Sequence, residues 1–107
     1  MAKQIYYEFD GREYTFEFTR SAIKRMEERG FDFDKANAAP MTAAYDLFCG
    51  ALYAHHSALN TKTRDKMFDE LTDLNGWTDD FIEMYKDAFE ATADGAEEGE
   101  KKRTKNW

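Results

Sequence analysis

His55 and His56 are the residues best able to hold a metal ion or move a proton, and they stand side by side. On a helix, neighbours point about 100° apart, so the two imidazoles cannot converge on one ion. A helical zinc site places its second histidine four positions on, where this chain carries Leu59 and Asn60. The pair therefore reads as structural, with His55 partly buried at the end of an apolar stripe and His56 exposed near the helix terminus. Asp32-Phe33-Asp34 with Asn37 has the rhythm of a calcium loop but lacks its turn glycine and closing glutamate. Neither Ser21 nor Ser57 lies in a nucleophile elbow, and no glycine-rich phosphate loop occurs. Cys49, the single cysteine, sits in an apolar run and reads as a buried thiol in a reducing compartment. These residues predict no catalytic, cofactor-binding or metal-ligating side chain. They point to a protein that binds other proteins rather than an enzyme.

The elements that would carry them fit one domain. A chain of 107 residues suits a single core. Its 42% hydrophobic and 16% aromatic content is enough to build that core although 35% of residues are charged. A net charge of −7 disfavours nucleic-acid phosphates and anionic membranes, which select clustered Lys and Arg, and it favours solubility. Met1-Ala2-Lys3-Gln4 leads straight into strand residues, and no apolar run has the length of a signal sequence or a membrane span, so a cytoplasmic protein is expected.

Residues 4–18 alternate as two strands around Asp10-Gly11, a strong signal for a two-residue hairpin turn. That register opposes Phe9 to Arg12, Tyr7 to Tyr14, Ile5 to Phe16 and Lys3 to Phe18. It gathers Ile5, Tyr7, Phe9, Tyr14, Phe16 and Phe18 on one face, and Gln4, Tyr6, Glu8, Glu13, Thr15 and Glu17 on the other. A lone hairpin is marginal in water, so helices of this chain or a partner must cover the aromatic face. Periodicity and caps predict helices over about 20–29, 41–58, 62–74 and 78–92, with an ordered loop pinned by Phe31 and Phe33 between the first two. Thr19 or Ser21 would cap the first helix, Asn60 or Thr61 the third and Thr78 the fourth, with Trp77 stapled onto Ile82. Phe81, Ile82, Tyr85, Ala88 and Phe89 form the stripe expected to be buried. The predicted fold class is α+β: an N-terminal β-hairpin packed on a bundle of about four α-helices over 1–92, followed by a disordered charged tail over 93–107.

Aromatic and flexible side chains outside the core suit interface anchors. Tyr6 projects from the wet face of the hairpin and Trp77 from a turn; Tyr45, Tyr53, Met84 and Tyr85 are candidates for an apolar groove. These six are the expected partner-binding residues. The hairpin also has two edges, each either protected or offered for strand addition.

The segment from Tyr7 to Phe18, of the form Tyr-x-Phe-Asp-Gly-Arg-Glu-Tyr-Thr-Phe-x-Phe, runs into a helix at Ser21 to Arg29. The string Leu47-Phe48-Cys49-Gly50-Ala51-Leu52-Tyr53-Ala54-His55-His56-Ser57-Ala58-Leu59-Asn60 continues to Met67-Phe68-Asp69-Glu70-Leu71. Over about residues 4–92 this order resembles the tail assembly chaperones of long-tailed, siphovirus-type bacteriophages of Gram-positive hosts. The resemblance implies a non-structural assembly factor in the cytoplasm of the infected host, absent from the mature virion. Such a factor binds the tape measure protein, helps recruit tail tube protein and self-associates. It also implies a longer frameshifted form extending from about residue 93. The long 30–40 loop and mixed-charge tail depart from the commonest pattern of that family. A second class of function, an acidic inhibitor or nucleic-acid mimic held in a basic groove of a host protein, would need carboxylates arrayed on one surface, whereas here they are spread over several elements. A metal-dependent enzyme built on His55 or His56 would contain a bound transition metal.

Overall fold

The computed structural model describes the backbone of residues 3–36 and 38–102, with side chains over the same span except Lys35 and those from Glu90 onward. Two strands, β1 (Gln4–Phe9) and β2 (Arg12–Glu17), precede α1 (Arg20–Glu28), a 3₁₀ turn at Phe33–Lys35, α2 (Pro40–His56), α3 (Thr61–Glu70) and α4 (Leu74–Lys102). This is the expected hairpin followed by four helices. Among the described residues no helix is long and apolar enough to cross a membrane.

Asp10 and Gly11 take φ values of 51° and 75°, both left-handed, as the tight turn requires. The strands pair antiparallel with Phe9 opposite Arg12, Tyr7 opposite Tyr14 and Ile5 opposite Phe16, the register expected from the alternation. Phe9, Tyr14, Phe16 and Phe18 are buried, while Ile5 and Tyr7 are half-buried on the same face. Against that face stand Leu47, Phe48 and Leu52 of α2, Met67 of α3 and Phe81 of α4. Phe16 is the hub, with ring centroids 5.5 Å from Phe48, 5.3 Å from Phe81 and 5.6 Å from Trp77. Apart from Tyr14 and Tyr85, no residue with a polar or charged side chain among the described residues is buried as a whole.

Thr19 caps α1, its hydroxyl accepting from the Ala22 N–H at 3.1 Å. Gly30, at φ +97°, ends that helix, and the Phe31 N–H returns to the Met26 carbonyl at 2.9 Å. Pro40 stands at the first turn of α2, where its missing N–H costs nothing. Gly50 lets α1 and α2 meet closely, since a Cβ there would lie 2.2 Å from Met26 Sδ. Asn60 caps α3, accepting from the Thr63 N–H at 2.9 Å.

The α3–α4 junction differs from the sequence expectation. α3 stops at Glu70 instead of 74, and α4 starts at Leu74 instead of 78. Asn75-Gly76 reads as a helix stop but lies in the first turn of α4. The cap is Asp73, at φ 52°; its carbonyl accepts from the Trp77 N–H at 3.1 Å and its carboxylate from the Gly76 N–H at 3.4 Å. Gly76 makes room for that carboxylate, because a Cβ there would stand 2.3 Å from it. Thr78 is therefore no cap, and its hydroxyl donates to the Leu74 carbonyl at 2.7 Å. At the other end the α4 backbone continues past Thr92 to Lys102, where Ala, Glu and Lys residues of high helix propensity stand around Gly95 and Gly99, which oppose it. Residues 93–102 of the expected tail thus stand on the helix, and 103–107 lie outside the described residues.

Candidate functional site

The histidine pair is placed the opposite way round from the expectation. His55 is exposed, with Nε2 2.7 Å from Glu17 Oε1, whereas His56 is half-buried against Tyr14, ring centroids 5.0 Å apart. The Thr15 backbone N–H donates to His56 Nε2 at 3.0 Å, so in the neutral ring the proton sits on Nδ1. Burial, then His55 and Arg12, hold His56 below the usual imidazole range. Hydrogen bonds from Gln4 and then His55 hold Glu17 below the usual carboxylate range. The two imidazoles act on the sheet: one closes an edge position of β2 and the other ties its last residue. Helical spacing could not reveal this swap, because it depends on which flank of α2 the hairpin occupies.

A concavity of about 650 Å³ lies between the 3₁₀ turn and α4. The Asp34 N–H bonds back to Asp32 Oδ1 at 2.9 Å, fixing the turn that carries Phe31 and Phe33. Their rings meet Tyr85 at centroid distances of 5.7 Å and 5.4 Å, the second nearly stacked. Lys86 Nζ stands 5.6 Å from the Phe33 ring centre. Phe89, assigned by periodicity to the buried stripe, is 57% exposed at the rim. Position 89 still lines up with the stripe of α4, but the apolar partners it would need run out beyond the turn. Glu27, Asp32 and Asp34 give this aromatic cup an acidic margin.

A second, narrower groove of about 300 Å³ runs along α1 and α2. Arg25 and Arg29, four residues apart, line one side; Tyr45, Asp46, Cys49 and Tyr53 line the other, with Arg64 of α3 also on the wall. Arg25 stacks 4.7 Å above Tyr53. Tyr45 donates to the Asp65 carboxylate and sets its ring edge-on to Phe68 at 5.1 Å, and burial followed by that bond pushes its phenol up to about 12. Arg64 Nε is buried without an acceptor among the described residues. Burial also raises the Cys49 thiol, keeping it protonated and a poor nucleophile. The groove offers cationic heads and aromatic faces to a ligand, not a reactive sulfur. The arginines were missed in the sequence, although the four-residue interval of Arg25 and Arg29 places both on one helix face.

The six candidate partner residues do not form one surface. Tyr6 is 61% exposed on the hairpin. Tyr45 and Tyr53 share the arginine groove. Trp77 packs on Tyr7, Phe16 and Phe81, at centroid distances of 5.3 Å, 5.6 Å and 5.6 Å, so it seals the hairpin against α4 instead of standing in a turn as a staple. Met84, expected only in the groove, and Tyr85, expected both in the buried stripe of α4 and in the groove, belong to the core with exposures of 4% and 7%. Their positions on α4 repeat the spacing of Phe81 and Ala88, which puts all four on its buried side. Tyr85 also lines the aromatic cup.

The family described as Domain of unknown function (DUF5055) matches the chain over residues 1–107. No curated protein and no solved structure matches it.

Proposed function

Given that the chain belongs to the DUF5055 family from residue 1 to residue 107, we propose that it is a tail assembly chaperone of a long-tailed bacteriophage. In this reading it works in the cytoplasm of the infected host. It holds the tape measure protein in solution, helps recruit tail tube protein around it, and leaves before the virion matures.

The aromatic cup carries the proposal. A tape measure protein awaiting assembly exposes apolar helical stripes, and a ridge of such a helix fits a concavity floored by Phe31, Phe33 and Tyr85 and edged by the exposed Phe89. The acidic margin keeps the loaded complex soluble, and the net charge of −7 acts the same way at longer range. The resemblance of the hairpin and second helix to that chaperone family supplies the identity of the partner.

Co-expression with the tape measure protein of the same gene cluster tests the reading. The expected result is a soluble complex that Phe89→Asp abolishes while leaving the melting temperature of the free protein unchanged. A tape measure protein that stays insoluble, with no complex recovered, sinks it.

A further inference from the structure

We propose that the outer edge of β1 is a strand-addition site for an extended, cationic segment of a partner polypeptide. The argument starts from the register. In a hairpin closed by a two-residue turn, the flanking pair Phe9 and Arg12 bond to each other, as do Tyr7 with Tyr14 and Ile5 with Phe16. The intervening pairs, Gln4 with Glu17, Tyr6 with Thr15 and Glu8 with Glu13, aim their backbone groups outward. On β2 this edge is answered: α2 lies alongside, and the outward Thr15 N–H donates to His56 at 3.0 Å. On β1, no described residue bonds to the outward backbone groups of Gln4, Tyr6 or Glu8. The two edges of the same hairpin therefore differ: the central outward amide of β2, Thr15, is capped by a helix side chain, whereas the β1 edge is left as a template.

Charge selects the occupant. Glu8 and Glu13 stand directly opposite each other in a non-bonded pair, where side chains come closest, and neither has an ion-pair partner among the described residues. Lys3 is engaged by Glu83 at 2.9 Å and Asp87 at 2.7 Å on α4, and is not free to neutralise them. A strand laid beside β1 puts its own alternate side chains next to Gln4, Tyr6 and Glu8, and lysine or arginine there relieves the repulsion. Its other side chains meet the half-buried Ile5 and Tyr7, so those positions call for valine, isoleucine or threonine. A second copy is the poorer occupant, because each copy brings a net charge of −7 and the same carboxylates. The site is separate from the aromatic cup, and the inference does not rest on the identity of the tape measure protein.

Amide exchange of the whole chain, with a synthetic peptide of alternating lysine and valine as probe, tests the edge. In the free protein the Tyr6 and Glu8 amides exchange fast and the Tyr7 and Phe9 amides slowly. The probe is expected to slow Tyr6 and Glu8 by about tenfold or more, while an equally charged peptide with proline at alternate positions leaves them unchanged. Tyr6→Pro removes one outward donor without touching the ladder and should abolish the protection. Glu8→Lys, at an exposed position that leaves the backbone intact, should weaken the probe as well. Equal binding of both peptides overturns the proposal, as do probe-induced changes confined to Phe33 and Tyr85. Concentration-dependent protection of Tyr6 and Glu8 without any peptide overturns it in favour of a second copy.

Discussion

At the scale of single residues, His56 links the hairpin to α2 through one hydrogen bond whose acceptor is a titratable nitrogen. Protonating Nε2 removes the acceptor and leaves the Thr15 N–H unpaired in a half-buried position. Because the folded-state pKa lies below 6.5, the unfolded chain binds protons more readily in the interval between the two values. The stabilisation is complete above pH 6.5 and is lost as pH falls through the lowered folded value. Glu17 acts in the same direction further down, its contribution present above 4.5 and lost below its own depressed value. Denaturant titrations between about pH 7.5 and pH 5.5 should show this decline. His56→Gln, which keeps an acceptor but does not titrate, should flatten it. His56→Ala should cost about 1 to 2 kcal/mol at neutral pH. Gly50 gives a second residue-level test. Gly50→Ala gains about 1 kcal/mol of helix propensity but drives a Cβ into Met26, and overpacking costs about 1 to 3 kcal/mol, so a lower melting temperature is expected. The need for glycine at position 50 was invisible in the sequence, because it arises from the approach of α1. The roles of the two histidines were hidden for a related reason, since α2 carries apolar residues on more than one flank and periodicity does not say which one meets the sheet.

Among the elements, the hairpin was the most legible. Asp10-Gly11 and strict alternation determine the turn and the register together, and a one-residue slip would turn Phe16 and Phe18 out to water. The α3–α4 junction was the least legible. Its start signal is an aspartate at positive φ, a conformation that sequence favours only weakly, whereas Asn75-Gly76 carries a stronger but misleading stop signal. The opposed glutamates of β1 and β2 make a prediction at this scale. Glu13→Lys converts a repulsive cross-strand pair into an attractive one and should raise stability by about 0.2 to 1 kcal/mol, read as a higher denaturation midpoint with an unchanged slope. The same change should weaken the cationic strand proposed for the β1 edge. A gain in stability accompanied by a loss of binding would mark the pair as retained for function.

For the molecule as a whole, the hairpin is part of the core and not an appendage to a helical bundle. Phe16 is fully buried at the point where β2, α2 and α4 meet. Phe16→Ala should cost about 3 to 5 kcal/mol, comparable with the whole stability of a small domain at roughly 5 to 15 kcal/mol. Loss of strand and helix signals in one transition would confirm that the two parts unfold together. The partner-binding candidates differ in where packing puts them. The sequence marks Tyr45, Tyr53, Met84 and Tyr85 as apolar alike, and only packing separates the first pair, on a groove, from the second, inside. Trp77 has a practical consequence. Wedged among Tyr7, Phe16 and Phe81, its indole senses whether the ribbon and α4 are seated together. The other tryptophan is Trp107, so Trp107→Phe would leave one tryptophan, at that seam, and its selectively excited emission colour would follow docking in real time.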